Sequence, residues 1–199
     1  MTRKLSFYNT LHRQTEDFKP IKSGVAGLYS CGPTVYNYAH IGNLRTYVFV
    51  DTLRRVMEGA GYQVNHAMNV TDVGHLVGDG DEGEDKLDVA SRQEGQSPLT
   101  IAKKYTDRFF ADLSLLNIEK PMTVVAATEA IPEQIVLIEQ LMAKGYAYRT
   151  DSAIYFDTAK LPDYGKLAGQ NVADKQTAVR NEVVVDAQKR QPHDFALWF

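Results

Sequence analysis

Four side chains capable of chemistry lie close together in the first quarter of the chain: Cys31, Thr34, His40 and Asn43. A thiolate can bind a metal ion such as zinc. Hydroxyl, imidazole and amide groups can donate hydrogen bonds to phosphate or carboxylate oxygens. This combination on one short segment is typical of a binding or catalytic site rather than of core packing.

The elements on either side of this segment would hold it at the end of a sheet. Val25–Ser30 is a short apolar run that predicts a buried strand, and Leu44–Glu58 follows a helical pattern. Between them, Gly32, Pro33 and Gly42 interrupt regular structure. A strand, a glycine-containing loop and a helix in this order direct free backbone N–H groups and the positive end of a helix at an anion.

A second strand is predicted at Gln63–Val70, where apolar and polar residues alternate loosely. Two strands joined by one helix form a βαβ unit, which predicts a parallel sheet. Ligands of such sheets bind beyond the carboxyl ends of the strands. The loop that carries Cys31 and the pair Thr71 and Asp72 are therefore expected at the same edge.

The segment His40–Asn43 reads His-Ile-Gly-Asn and resembles the His-Ile-Gly-His signature of class I aminoacyl-tRNA synthetases. Together with the run Cys31–Tyr36 before it and the pair Arg45 and Thr46 after it, the segment is similar to the cysteinyl-tRNA synthetase family. Further family blocks are matched at Phe7–Leu11, Asn69–Asp72 and Asp194–Trp198. The resemblance covers the whole chain, which matches about the amino-terminal half of the family.

The resemblance implies an α/β fold with a Rossmann-like parallel sheet and an inserted α+β connective peptide. The nucleotide-binding half of the catalytic domain is expected over residues 1–90. The connective peptide and the start of the return to the catalytic sheet are expected over residues 91–199. The implied activity is that of a cysteine–tRNA ligase, which activates cysteine with ATP and Mg²⁺ and transfers it to tRNA-Cys.

The resemblance also implies roles for individual residues. His40 and Asn43 are expected to be catalytic, and Thr34, His40, Gly42 and Asn43 to bind ATP. An imidazole there would stabilise charge on the phosphate in the transition state. Glycine at position 42 would let adenine approach the backbone. Where the signature has a second histidine, Asn43 can donate a hydrogen bond but cannot carry charge.

Cys31, Gly32 and Thr71 are expected to bind the cysteine substrate, and Cys31 resembles one of the family's four ligands to a zinc ion. That zinc binds the substrate's thiolate. Cysteine and serine differ by one atom, and an apolar pocket separates such isosteres poorly, whereas zinc prefers thiolate to hydroxyl. Without the surrounding motif, Cys31 would be interpreted as a small buried hydrophobe.

The family's other zinc ligands, a Cys, a His and a Glu, lie beyond the position that matches Phe199. Its Lys-Met-Ser-Lys-Ser phosphate loop and its anticodon-reading helical domain also lie beyond that position. We therefore expect a fragment that does not charge tRNA by itself and that holds no stoichiometric zinc.

An acidic run, Gly78–Asp88, contains the spacing G-x-G-x-x-G. Its carboxylates would repel a pyrophosphate, and it does not directly link a strand to a helix, so a dinucleotide site is rejected. A calcium loop counted from Asp79 would have Glu84 where glycine is needed and Ala90 at the last ligand position. The run is interpreted as a solvated loop, and no family role is transferred to Lys86.

Local signals predict further elements downstream. Ser97 and Pro98 predict a helix start, and Thr128 opens another helix. A hairpin is predicted from Tyr146–Arg149 and Ala153–Asp157. The chain from residue 158 to residue 192 is polar and is predicted to be irregular.

The amino-acid composition limits the classes of protein to which this chain can belong. The chain has 199 residues, of which 44% are hydrophobic and 24% charged, as expected for one or two globular domains. A net charge of −3 does not suggest a general polyanion-binding protein, although it leaves a local basic face open. The single cysteine excludes an internal disulfide. No apolar run approaches the ~20 residues that a membrane span needs, so we expect a cytoplasmic location and no membrane partner. We also expect a monomer.

Three functions compete on the sequence alone. The first is the amino-terminal half of a cysteine–tRNA ligase, or of its relative that joins cysteine to an amino sugar in mycothiol synthesis. The second is a non-catalytic nucleotide- or RNA-binding remnant. The third is another ATP-using nucleotidyltransferase, which Cys31 and the block around Trp198 argue against. Cysteine-dependent exchange of pyrophosphate into ATP separates the three.

Overall fold

The computed structural model describes residues 3–74, 85–169 and 186–199. These residues divide into two compact units: the first comprises 3–9, 14–74 and 86–129, and the second comprises 10–13, 85, 130–169 and 186–199. Most of the acidic run Gly78–Asp88 and about half of the stretch predicted to be irregular lie outside the described residues. No described helix is long and apolar enough to cross a membrane.

The first unit is organised around a parallel sheet. Strands β3 (Val25–Ser30), β4 (Gln63–Val70) and β5 (Thr123–Ala126) pair in that order, and both pairings are parallel. Helix α1 (Ile41–Gly59) connects β3 to β4. The predicted βαβ unit and α/β fold class are therefore confirmed. β5 was not predicted, because four residues carry too little periodic signal.

Helices cover this sheet and set the walls of the site described below. α2 spans Lys86–Glu94 and α3 spans Pro98–Leu115. The predicted start of α3 is confirmed, because the Ser97 side chain accepts a hydrogen bond from the backbone N–H of Thr100. The buried residues of α3 recur at helical spacing: Ile101, Ala102, Tyr105, Phe109 and Leu113.

A hairpin precedes the sheet in the first unit. β1 (Ser6–Asn9) pairs with β2 (Gln14–Asp17) in antiparallel register. The ring of Phe18 meets the rings of Phe7 and Tyr62 edge to face. The centroids are 5.8 Å apart for Phe7 and Phe18, and 5.4 Å apart for Phe18 and Tyr62. These contacts hold the start of the chain against the sheet's core.

The second unit contains helix α4 (Ile131–Ala143) and an antiparallel sheet. A 3-10 turn at Thr128–Ala130 precedes α4, so the helix begins three residues after the predicted start. Strands β6 (Ala147–Arg149), β7 (Ile154–Phe156) and β8 (Phe195–Trp198) pair in that order. The predicted hairpin is confirmed as β6 and β7. The functional division near residue 91 stays a prediction.

Candidate functional site

The loop after β3 continues along the end of β4 instead of leaving the sheet at once. The N–H of Thr71 donates to the carbonyl of Pro33 at 2.9 Å, and the N–H of Val35 donates to the carbonyl of Thr71 at 3.1 Å. Thr34 and Thr71 form an isolated parallel bridge. The backbone therefore fixes this loop at the carboxyl edge of the sheet, where ligands of parallel sheets bind.

Asn69 holds the first turn of this loop. Its Oδ1 accepts hydrogen bonds from the N–H of Gly32 at 2.9 Å and from the hydroxyl of Tyr29 at 3.0 Å. Its Nδ2 donates to Oγ1 of Thr71 at 3.2 Å. Asn69 was seen in the sequence only as part of a family block. Its short polar side chain at a predicted strand end was the available signal.

Gly32 has no room for a side chain. A Cβ atom built there would lie 1.6 Å from the carbonyl oxygen of Asn69 and 2.9 Å from Cγ of Met68. Glycine at this position therefore lets the loop pass directly over β4.

Replacing Gly32 by alanine is expected to destabilise the first unit by about 1–3 kcal/mol, because the added carbon overlaps backbone atoms that cannot move independently. Gly27→Ala is the matched control, since Gly27 lies on the preceding strand β3 and a Cβ there meets nothing within 4 Å. Urea unfolding of both variants measures the effect. Equal stability of the two variants would contradict the close approach.

His40 begins helix α1 as its N-cap residue. Its Nδ1 accepts a hydrogen bond from the N–H of Gly42 at 3.0 Å, and its own N–H donates to Oδ1 of Asn43 at 3.1 Å. Side chain and backbone thus cap each other reciprocally, as in a capping box. A Cβ on Gly42 would lie 2.8 Å from Cε1 of His40, so glycine at 42 leaves space for the imidazole ring.

The hydrogen bonds of the cap determine which atoms of His40 and Asn43 can contact a ligand. Because Nδ1 of His40 accepts a hydrogen bond, the neutral ring carries its proton on Nε2. Because Oδ1 of Asn43 also accepts, its Nδ2 amide is the group left to donate. Both side chains are exposed, and both line one cavity at the N-terminal end of α1. Two neutral donors therefore sit beside the positive end of a long helix.

The cavity has a volume of about 380 Å³. One wall is the loop after β3, and the other is formed by α1, α2 and α3. Aromatic rings contribute much of the lining: Tyr36, Tyr38, Tyr47, Tyr105 and Phe109. Tyr105 meets Tyr38 edge to face at 5.1 Å, and Phe109 meets Tyr47 in the same way at 4.8 Å. The lining thus combines flat apolar surfaces with a few hydrogen-bond donors, as ligand pockets do.

The hydroxyl of Tyr47 remains protonated at neutral pH. Burial, and after it the charge of a Cys31 thiolate, raise the pKa of Tyr47 to about 12. Tyr47 is therefore a hydrogen-bond donor in the cavity wall rather than a base.

The structure brings together some of the predicted site residues and not others. Gly32, Thr34, His40 and Asn43 line the cavity. The remaining predicted residues, Cys31, Gly42 and Thr71, are not among its lining residues. Cys31 is exposed at the end of β3, and Thr71 is half-buried at the end of β4. The predicted ATP-binding and cysteine-binding sets therefore occupy neighbouring positions on one sheet edge.

Asp72 lies at the same edge, but its carboxylate is engaged within the fold. Oδ1 accepts from the N–H of Thr128 at 3.0 Å, and Oδ2 accepts from the Thr128 hydroxyl at 2.5 Å. These bonds tie the end of β4 to the turn that follows β5.

The described residues do not form a zinc site. Among them, there is no group of three or more His, Cys, Asp or Glu side chains arranged to hold a metal ion. Cys31 offers one sulfur, which lies 3.8 Å from the carbonyl of Gly32. Protein zinc sites use three or four protein ligands. The residues described here therefore do not fit a complete zinc centre.

Comparison with known proteins decides the family. Residues 17–199 match the family model described as tRNA synthetases class I (C) catalytic domain. The chain belongs to this family. The class I synthetase fold accounts for the parallel sheet.

Curated relatives of this chain carry the name cysteine–tRNA ligase. The chain is 50% identical over 195 residues to the one from Treponema denticola, covering 98% of this chain and 39% of the relative. It is 51% identical over 194 residues to cysteine–tRNA ligase 1 of Burkholderia lata, covering 98% and 41%. The chain thus spans about two fifths of the length of these relatives.

A solved structure of another synthetase supports the same fold. It is LeuRS from Agrobacterium radiobacter K84 in a ternary complex with tRNA and LeuAMS. The match has a TM-score of 0.52 and 26% identity, and it covers 71% of this chain and 18% of that chain.

Proposed function

We propose that this chain supplies the ATP- and cysteine-binding part of a cysteine–tRNA ligase. The observation that carries the proposal is the reciprocal cap of α1, which leaves Nε2–H of His40 and Nδ2 of Asn43 as donors in an aromatic cavity. The identity of about 50% to cysteine–tRNA ligases supports it. The substrates are cysteine, ATP with Mg²⁺ and tRNA-Cys, and the protein is a cytoplasmic monomer.

In the activation step, a carboxylate oxygen of cysteine attacks the α-phosphorus of ATP. A bond forms between that oxygen and phosphorus, and the bond to the departing pyrophosphate breaks. Negative charge spreads over the α-phosphate oxygens as this happens. Nε2–H of His40 and Nδ2 of Asn43 donate to those oxygens, and preorganised donors of this kind lower the barrier most. Thr34 and the backbone at Gly42 complete the ATP-binding set.

Cysteine binding is assigned to Cys31, Gly32 and Thr71 on the neighbouring part of the edge. Asn69 supports this assignment, because its amide contacts both Gly32 and Thr71 and so holds their spacing. In the complete ligase a zinc ion, with Cys31 as one ligand, would bind the substrate's thiolate and so distinguish cysteine from serine.

The purified chain is expected to hold no stoichiometric zinc after dialysis. Cys31 supplies one ligand, so binding should be far weaker than the ~10–16 kcal/mol of complete structural sites. Elemental analysis of the metal content of residues 1–199 measures this. One tightly held zinc per molecule would contradict the expectation and would indicate other ligands or a site shared by two chains.

The proposed activity is tested by cysteine-dependent exchange of pyrophosphate into ATP, in a ligase that joins this chain to the remainder of a curated relative. We expect exchange with cysteine and little with serine. Transfer of cysteine to tRNA, and not to an amino sugar, then separates the tRNA ligase from the mycothiol-type ligase. A protein that binds ATP but shows no exchange would be a non-catalytic nucleotide-binding protein.

A further inference from the structure

The described residues that line the cavity beside His40 include one lysine, Lys86. None of these lining residues is an arginine, an aspartate or a glutamate. The chain as a whole carries 25 acidic and 22 basic residues, so a described lining without carboxylates departs from the average composition of the chain. A cavity of this charge favours an anionic ligand.

Lys86 is positioned so that its ammonium group can contact a ligand in the cavity. It is the first residue of α2 and is half-buried. Its Nζ lies 5.3 Å from the centroid of the Tyr36 ring, a cation–π arrangement that holds the ammonium at the cavity wall. Among the described residues, no carboxylate forms an ion pair with Lys86. In contrast, Lys103 and Lys104 on α3 each pair with a carboxylate.

We propose that the ammonium group of Lys86 binds the phosphate chain of ATP in this cavity, which deepens the proposed function and rests on it. The aromatic side chains suit the flat base of the nucleotide. His40 and Asn43 supply neutral donors, and they cannot offset the charge of a triphosphate. Lys86 supplies the cation that this pair lacks, since Asn43 stands where the signature has a second histidine.

No local sequence pattern assigns this role, because Lys86 lies at the end of an acidic run and far from His40 along the chain. The placement of α2 beside the loop after β3 brings the two residues to one cavity.

The test is equilibrium binding of Mg²⁺–ATP and of adenosine to residues 1–199, measured by calorimetry. Lys86→Met is expected to weaken ATP binding by about 10- to 100-fold, the value of one charge-assisted hydrogen bond. It should change adenosine binding less than about twofold, because adenosine has no phosphate. Lys86→Arg should retain most of the ATP affinity. Lys103→Met, which removes the same charge from an exposed site on α3, should leave both affinities unchanged.

Each other outcome overturns the inference in a recognisable way. Equal loss of ATP affinity in Lys86→Met and Lys103→Met would show a general charge effect. Equal loss of ATP and adenosine affinity in Lys86→Met would show that Lys86 shapes the cavity through Tyr36. If the unaltered chain binds neither compound, the proposed function fails together with the inference. If it binds both but Lys86→Met binds as well as the unaltered chain, the inference alone fails.

Discussion

Replacing His40 by asparagine is expected to slow amino-acid activation about 10²- to 10³-fold while leaving the fold intact, because one preorganised transition-state donor is lost. Asparagine is among the best N-cap residues, so it can still accept a hydrogen bond at the start of α1. Asparagine keeps an amide donor, but its side chain is shorter than that of histidine, so it does not place a donor where the Nε2–H group lies. The measurement is the rate of cysteine-dependent pyrophosphate exchange in a ligase that carries this chain.

His40→Ala separates the two roles of the residue. Alanine loses the donor and the cap, so we expect the same fall in rate and an additional loss of about 1 kcal/mol in the free energy of unfolding. The hydrogen bonds of the cap are the physical cause of this loss of stability. Full turnover in His40→Asn, with a large loss of stability in either variant, would show that His40 is structural.

Replacing Asp194 by alanine is expected to destabilise the second unit by roughly 3–5 kcal/mol, since each buried donor left unpaired costs about 1–3 kcal/mol. Asp194 is 2% exposed. Its Oδ1 accepts from the N–H and the hydroxyl of Thr158 at 2.9 and 2.8 Å. Its Oδ2 accepts from the hydroxyl of Tyr148 at 2.6 Å and from the N–H of Gln191 at 3.0 Å. One carboxylate therefore joins β6, the turn after β7 and the start of β8.

The same carboxylate should make the second unit sensitive to acid. Burial raises the pKa of Asp194, but the hydrogen bonds from Tyr148, Thr158 and Gln191 outweigh it, and the pKa lies below its ordinary value. A lowered pKa in the folded state contributes stability above the unfolded pKa of about 3.9. That contribution is lost as the pH falls through the folded pKa.

Trp198 reports on this unit directly, because it is the chain's single tryptophan and lies on β8, the strand that follows Asp194. Its fluorescence during urea unfolding gives the stability of Asp194→Ala and of Asp163→Ala. Asp163 is exposed and pairs only loosely with Lys166 at 3.9 Å, so its loss should cost little. Similar unfolding midpoints for the two variants would contradict the role assigned to Asp194.

Local patterns in the sequence determined the parallel βαβ unit, the start of α3 and the β6–β7 hairpin. Each depends on residues close together in the chain: an apolar run, a capping serine before proline, or alternation on both sides of a turn. The family motif likewise placed His40 and Asn43 at the start of a helix. A strand-to-helix loop is a local structure, so the resemblance to a short sequence motif was enough to name its residues.

Tertiary structure decided how those residues are used. The ring orientation of His40 follows from its hydrogen bond to Gly42, which no spacing specifies. Lys86 lines the cavity because α2 packs beside the loop after β3. Cys31 and Thr71 lie outside the lining because they follow the ends of β3 and β4. Such contacts join residues far apart in the chain, and only the packing of helices on the sheet brings them together.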